Sequence, residues 1–255
     1  MKVFFSLLAI NIRQAVFSLR FLVSACGVTL TMFLTGLGLL STAHDVIYLC
    51  GLSSGSESRM LMVGILPLFP FAITFAIEWE QRATQFWMIR TGIRNYSSSK
   101  VFVSALSGFL TTALGVSIFV LMALIRFPLF THVSTGDAYS VLLEAGKPVQ
   151  YLCYYIVHIS LSSALFAVAA VWISAYIPNR YAAVAGPLVL YFVAHRFTTT
   201  LDIPQYLKVI TIVEGGYDAG TPQKTLLLKL GIVMALCLLM GYGTVRQIRR
   251  RVFRD

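Results

Sequence analysis

Charged residues are scarce in this sequence of 255 residues, and acidic residues are the scarcest of them. Only 12% of the residues are charged and only 10 are Asp or Glu, whereas 58% are hydrophobic and the mean hydropathy is +0.80. A soluble domain is usually ~25% charged. The composition therefore excludes an ordinary soluble enzyme, a disordered chain and a coiled coil, and it predicts a chain whose main solvent is lipid.

The motifs of several enzyme classes are also missing. The sequence has no HExxH run, no GxSxG turn, no GxxxxGK[ST] loop and no CxxC pair among its four cysteines. Glu78 and Glu80 are not adjacent, which is the wrong spacing for a membrane protease of the CAAX type. Three cysteines fall in apolar runs, and Cys50 is predicted to lie in a loop. The sequence thus predicts no catalytic residue, no metal ligand and no cofactor in this chain.

Six apolar segments can each cross a bilayer core, which needs ~20 residues. They lie at about 21–43, 60–77, 101–125, 151–177, 181–199 and 225–245. Backbone polar groups cannot stay unpaired in hydrocarbon, so each segment is predicted as a helix. The predicted fold is therefore all-α, with a single transmembrane domain over residues 1–255. The fifth segment is the weakest, because it reaches full length only by including residues 196–200, and prolines at 67, 70 and 187 predict kinks.

The basic residues are distributed unequally between the two sides of these spans. With an even number of spans both termini share a side, and that side carries 13 of the Lys and Arg residues, whereas the opposite loops carry 6. The positive-inside rule then predicts cytoplasmic termini and a basic cytoplasmic tail at 246–255. The net charge of +10 is explained as a topology signal and an attraction to lipid headgroups, and nucleic acid is not expected as a partner.

Two further segments are amphipathic without being long enough to span. Residues 1–20 place Lys2, Ser6, Arg13 and Arg20 on one stripe of a helix and apolar residues on the rest, which predicts an interfacial helix, or else an extension of the first span. Residues 204–214 are too apolar for open water, and they predict a re-entrant or interfacial helix that ends at Gly215 and Gly216.

The loop at 78–100 between the second and third spans is the most informative part of the sequence. It predicts a short amphipathic helix with acids in its first turn, a basic residue in its last turn and Gly92 as its C-cap. Ser97 to Ser99 are predicted to cap the third span. Such a helix can bury its apolar side against another protein or lie among headgroups. The candidate contact residues are Glu78, Glu80, Arg82, Gln85, Phe86, Met88, Arg90 and Gly92.

Few polar side chains fall within the spans, so each of them is a candidate functional residue. His158, Ser162 and His195 are candidates for a substrate pathway, although a hydrogen bond to a neighbouring helix is the simpler role for His158. Lys229 is four residues from the end of its span, and it is expected to extend its ammonium outward to water. No carboxylate lies deep in a span, which disfavours ion-coupled transport.

Taken together, the six spans, the interfacial helix, the acidic-led helix after span two and the short re-entrant stretch resemble the ABC-2 type permeases. These are the membrane subunits of ATP-binding-cassette exporters. The resemblance covers the whole chain in layout, and in residues it is concentrated at an acid (Glu78 or Glu80), the helix up to Arg90, Gly92, Ser97 to Ser99 and Lys100.

The resemblance implies a function and partners. The helix near residues 80–91 is then the coupling helix, which sits in a groove of a separate cytoplasmic ABC ATPase. Two ATPase copies are implied, with ATP and Mg bound there and not in this chain, together with a second permease chain, identical or related. The location is the plasma membrane of a bacterium, and the cargo is amphipathic or lipid-like, such as an antimicrobial peptide or a drug. A membrane scaffold or accessory subunit and a secondary carrier are the alternatives.

Overall fold

The computed structural model describes residues 2–40, 42–131, 136–214 and 217–252, and in these residues the chain is helical without strands. Gly215 and Gly216, which are expected to end a helix, lie outside the described residues. In chain order the α-helices are α1 (Lys2–Val16), α2 (Leu19–Gly36), α3 (Val46–Ser53), α4 (Ser56–Arg59), α5 (Thr74–Glu80), α6 (Thr84–Thr91), α7 (Ile93–Ala123), α8 (Ser140–Glu144), α9 (Pro148–Tyr176), α10 (Arg180–Thr200), α11 (Val209–Glu214) and α12 (Pro222–Val252).

Four of these helices, α2, α7, α9 and α12, are long and apolar enough to cross a membrane. The all-α prediction is therefore confirmed, and the chain has the helices of a multi-pass membrane protein. Helix α9 is central, because it packs against α7, α10 and α12 and 72% of its most apolar stretch is buried. Helix α12 is peripheral, since only 11% of the equivalent stretch is buried, and its remaining surface is free to face lipid.

Two glycines allow α7 to approach its neighbours closely. A Cβ atom at Gly108 would lie 2.8 Å from the carbonyl oxygen of Ser163 on α9, and one at Gly115 would lie 2.6 Å from the Cβ of Val28 on α2. Small residues at helix contacts are typical of membrane bundles, where close packing replaces the hydrophobic effect as the driving force.

The two other predicted spans, at 60–77 and 181–199, are not among the four long apolar helices. The stretch from Met60 to Glu80 is broken into a π-helical turn (Met60–Ile65), a 3₁₀ turn (Leu66–Leu68) and α5. Pro67 and Pro70 lack an N–H for a regular helical ladder, which accounts for the break. Helix α10 runs unbroken through Pro187, but Arg180 and Arg196 at its two ends lower its hydropathy.

The N-terminal segment is a helix separate from the first span. Helix α1 ends at Val16, and the side chain of Ser18 accepts a hydrogen bond from Phe21 N and so starts α2 afresh. An extended first span is therefore excluded. Asn11 on α1 is buried, and its Nδ2 donates to Ser99 Oγ at 2.8 Å, which fastens α1 to α7.

Cys50 lies in α3 and not in a loop, so the prediction for this residue is wrong. The carboxylate of Asp45 accepts a hydrogen bond from Tyr48 N and starts the helix there, a cap that composition alone did not indicate. Burial, with a smaller effect of the Asp45 carboxylate, raises the pKa of the Cys50 thiol to about 12. The thiol therefore stays protonated and unreactive near neutral pH.

Candidate functional site

A buried ion pair joins the two ends of the loop between α5 and α7. Lys100 Nζ lies 2.5 Å from Glu78 Oε1 and 3.3 Å from Thr74 Oγ1. Tyr96 donates its hydroxyl to the second carboxylate oxygen of Glu78. The ammonium also lies 4.6 Å from the centre of the Phe71 ring. We name Glu78, Tyr96 and Lys100 the clasp, because they hold the base of the loop closed.

The two charges of the clasp stabilise the fold only when both are present, because both are largely removed from water. The side chain of Lys100 is 2% exposed and that of Glu78 is 17% exposed. Breaking a buried ion pair by removing one partner leaves an uncompensated charge, which costs ~3–5 kcal/mol. Here the charges are matched, and the carboxylate and the ammonium each have a further polar partner. Both carboxylate oxygens of Glu78 are thus bonded within the loop, one to Lys100 and one to Tyr96.

Helix α6 lies within this loop and presents apolar side chains to the outside. Phe86 is 72% exposed and Ile89 is 83% exposed, whereas Met88 on the opposite side is buried against Phe75 and Tyr96. An apolar surface of this kind is typical of a contact site for another molecule. We define the α6 surface as Phe86, Trp87 and Ile89 together with the exposed polar neighbours Arg82, Gln85 and Arg90.

The loop differs from its predicted form in two respects. Glu78 and Glu80 belong to α5, and the chain turns at Arg82, where φ is 57°, before α6 starts at Thr84, so no acid lies in the first turn of α6. Helix α7 starts at Ile93, so Ser97 to Ser99 lie inside it and do not cap it. The predicted end at Gly92 is confirmed, since its φ of 80° suits a residue without a side chain.

Three other parts of the chain touch the base of this loop. Glu80 accepts a hydrogen bond from Arg180 N at 3.1 Å, and its second oxygen lies 3.7 Å from Arg180 Nε. The guanidinium of Arg251 lies 5.4 Å from the centre of the Trp79 ring and donates to the carbonyl oxygen of Tyr176. The end of α5 thus lies against the ends of α9, α10 and α12.

The predicted pathway residues lie toward the opposite end of the bundle, but they do not form one site. His158 Nδ1 forms a hydrogen bond with the hydroxyl of Tyr139 at 2.7 Å, and Tyr139 belongs to the connection before α9 rather than to a neighbouring long helix. Ser162 donates to the carbonyl oxygen of Val213, which fixes α11 to α9. His195 stacks on the ring of Tyr191, with the two planes 8° apart.

Near His158 there is a polar chamber of about 410 Å³, with a recess of about 20 Å³ beside it. The two spaces share the lining residues His158, Tyr217 and Thr225. Arg59 lines the chamber and Lys229 lines the recess. Lys229 is 5% exposed and its Nζ is buried where α12 packs against α9 and α11, so the prediction that its ammonium reaches outward to water is wrong.

The chain was compared with protein-family models, with curated proteins and with solved structures, and none of the three comparisons finds a match. Within the described residues no group of three His, Cys, Asp or Glu side chains comes together in a way that suits a metal ion. Function must therefore be inferred from the contacts of the loop at 78–100 and of the chamber.

Proposed function

We propose that this chain is the membrane-spanning permease subunit of an ABC exporter, and that α6 is its coupling helix. One observation carries the proposal: an amphipathic helix with exposed apolar side chains stands on a loop whose base is closed by a buried ion pair. A helix that must transmit a movement needs both an exposed contact surface and a firm attachment to the helices behind it.

The position of α6 at the basic end of the chain supports a cytoplasmic partner. Arg249 to Arg251 end α12, and Arg251 contacts Trp79 and Tyr176 at the same end of the bundle as α6. Under the positive-inside rule this end faces the cytoplasm, which places both termini there as well. A separate cytoplasmic ATPase is a partner of this kind, with ATP and Mg bound on the ATPase itself.

Six membrane crossings remain our proposal for the topology. The broken stretch 60–80 runs from Arg59 at the chamber to Glu78 in the clasp, and α10 runs from Arg180 beside Glu80 to Tyr191, which bonds to Glu214. Both therefore extend along the bundle from one end toward the other. We further propose that α1 lies in the cytoplasmic interface and that residues 204–214 re-enter the membrane from the outside.

The proposed export mechanism also requires further protein chains and favours one class of cargo. A single chain of six spans forms half a pathway, so a second permease chain and two ATPase copies are needed. ATP must bind one conformation of the complex better than the other for the pathway to switch sides. The scarcity of charge in the spans favours an amphipathic or lipid-like cargo, such as an antimicrobial peptide or a drug, exported across a bacterial plasma membrane.

The test is to disrupt the α6 surface and measure coupling. The chain would be co-expressed with an ABC ATPase encoded by a neighbouring reading frame. We expect Ile89→Glu to lower co-purification of the ATPase and the stimulation of its hydrolysis by about tenfold or more, as for a truncated contact at the centre of an interface. Tyr181→Glu is the matched control, because Tyr181 is 72% exposed at this end of the bundle, close to the 83% of Ile89, but lies on α10.

Full association and stimulation with Ile89→Glu and with Phe86→Glu would refute the coupling assignment. A chain that forms no complex with an ATPase in any form would point instead to a membrane scaffold or accessory subunit. Transport that follows the pH or sodium gradient, without ATP, would point to a secondary carrier.

A further inference from the structure

The chamber and the recess beside it, at the end of the bundle opposite the clasp, are each lined by one basic side chain that has no carboxylate partner in the described part of the chain. Lys229 Nζ is buried and has no hydrogen-bond partner there. Arg59 donates from Nε to the carbonyl oxygen of Ser54 at 3.1 Å and from Nη1 to that of Glu214 at 2.5 Å, so its guanidinium is bonded to neutral oxygens. A buried charge without a counter-charge is unfavourable, and an anion bound beside it removes that penalty.

The two acidic side chains of the chamber are already engaged elsewhere. Asp137 accepts hydrogen bonds from the hydroxyl of Tyr151 and from Tyr139 N. Glu214 accepts one from the hydroxyl of Tyr191 at 2.8 Å. Neither carboxylate lies within salt-bridge distance of Arg59 or Lys229 among the residues that are described. Both acids therefore support the chamber wall, and the two cations remain available to a ligand.

We propose that Lys229 and Arg59 bind the phosphate group of a phospholipid. A phosphate offers several acceptor oxygens, which match the three donors of an ammonium and the fork of a guanidinium. The chamber, at about 410 Å³, has room for a headgroup, whereas the recess, at about 20 Å³, holds a single small group beside the ammonium. Basic pockets between membrane helices are a recognised way to hold anionic headgroups.

The surroundings of Lys229 favour a lipid over a water-soluble phosphate compound. The recess has the apolar walls Ile212, Leu228 and Ile232. On α12, the next residue after Lys229, Leu230, is 39% exposed, so an acyl chain can lie beside the recess. The headgroup would enter between α11 and α12 while the chains stay in the bilayer. This site does not depend on an ATPase partner, and its test uses the isolated chain.

The experiment measures lipid binding to the purified full-length chain in a non-ionic detergent, with native mass spectrometry and phosphatidylglycerol as the probe. We expect Lys229→Met to lower the affinity about tenfold, the effect of losing one charge-assisted hydrogen bond. Lys224→Met is the matched control, because Lys224 lies on the same helix but is exposed, and we expect it to bind as the native chain does. The lipid should also raise the melting temperature of the native chain and not that of Lys229→Met.

Lys229→Met should fold, since it removes a buried charge that has no partner, and gel filtration checks this. Equal binding by Lys229→Met and the native chain would overturn the proposal, because the ammonium would then make no contact with the phosphate. Equal binding of diacylglycerol, which lacks a phosphate, would also overturn it. Displacement of the lipid by inorganic phosphate or by a short acidic peptide at matched concentration would overturn the lipid assignment in favour of a soluble anion.

Discussion

Lys100 and Lys229 are both buried lysines on apolar helices, but their neighbours give them opposite roles. Lys100 is paired with Glu78 and lies over the Phe71 ring, so its charge stabilises the fold. Lys229 has no partner among the described residues, so its charge is a cost to the fold that a ligand can offset. Removing each lysine should therefore change stability in opposite directions.

We expect Lys100→Met to lower the free energy of unfolding by ~3–5 kcal/mol, because Glu78 is left buried without its counter-charge. The measurement is unfolding of the purified chain in mixed micelles. Arg94→Met is the matched control, since Arg94 lies on the same helix and is exposed. The double variant Glu78→Leu with Lys100→Met should recover most of the loss, because it removes both charges; a double variant no better than Lys100→Met would contradict the ion-pair argument.

The environments of Lys100 and Lys229 could not be predicted from the residues next to them in the sequence. The clasp joins two residues 22 positions apart, and that pairing depends on where the loop between them turns. The acid and the lysine that bound this loop were both noted in the sequence, but nothing local showed that they meet. The burial of Lys229 depends on how α9 and α11 pack against α12, and the sequence predicted a short helix at 204–214 but not the place where it packs.

At the scale of helices, hydropathy predicted the positions of the long apolar helices. The third, fourth and sixth predicted spans fall within α7, α9 and α12 to within a few residues, because long apolar runs have few alternatives in a bilayer. The first residues of the helices were harder to predict from the sequence. Helix α7 begins at Ile93, about two turns before its apolar part. The close contacts at Gly108 and Gly115 on α7 were not predicted, because hydropathy gives no information about which helix lies next to them.

The close approach of α7 to α2 predicts a sharp sensitivity at Gly115. A leucine there has no space, because the backbone of Ala25 and the side chain of Val28 already lie within 3 Å of the Cβ position. We expect Gly115→Leu to destabilise the chain by ~3 kcal/mol or more, as overpacking does. Gly231→Ala on α12 meets nothing within 4 Å and should be neutral or slightly stabilising. Thermal unfolding in detergent compares the two, and equal melting temperatures would contradict the packing.

For the whole molecule, the loop at 78–100 and the residues around 202 should lie on opposite sides of the membrane. In a background without native cysteines, we expect Gln85→Cys to react with a membrane-impermeant maleimide only after the cells are opened. Asp202→Cys should react in intact cells, since Asp202 is exposed in the connection that follows α10 at the other end of the bundle. Labelling of Gln85→Cys in intact cells would reverse the orientation and remove the basis for a cytoplasmic partner.

The attachment of the loop at 78–100 has a mechanical consequence. Because the clasp ties the end of α5 to the start of α7, a pull on α6 cannot lengthen the loop without first separating a buried acid from a buried base. Asn11 bonds to Ser99, one residue from the clasp, so α1 is hinged to the same point. A force applied to α6 should therefore displace α5, α7 and α1 together and should not stretch the loop.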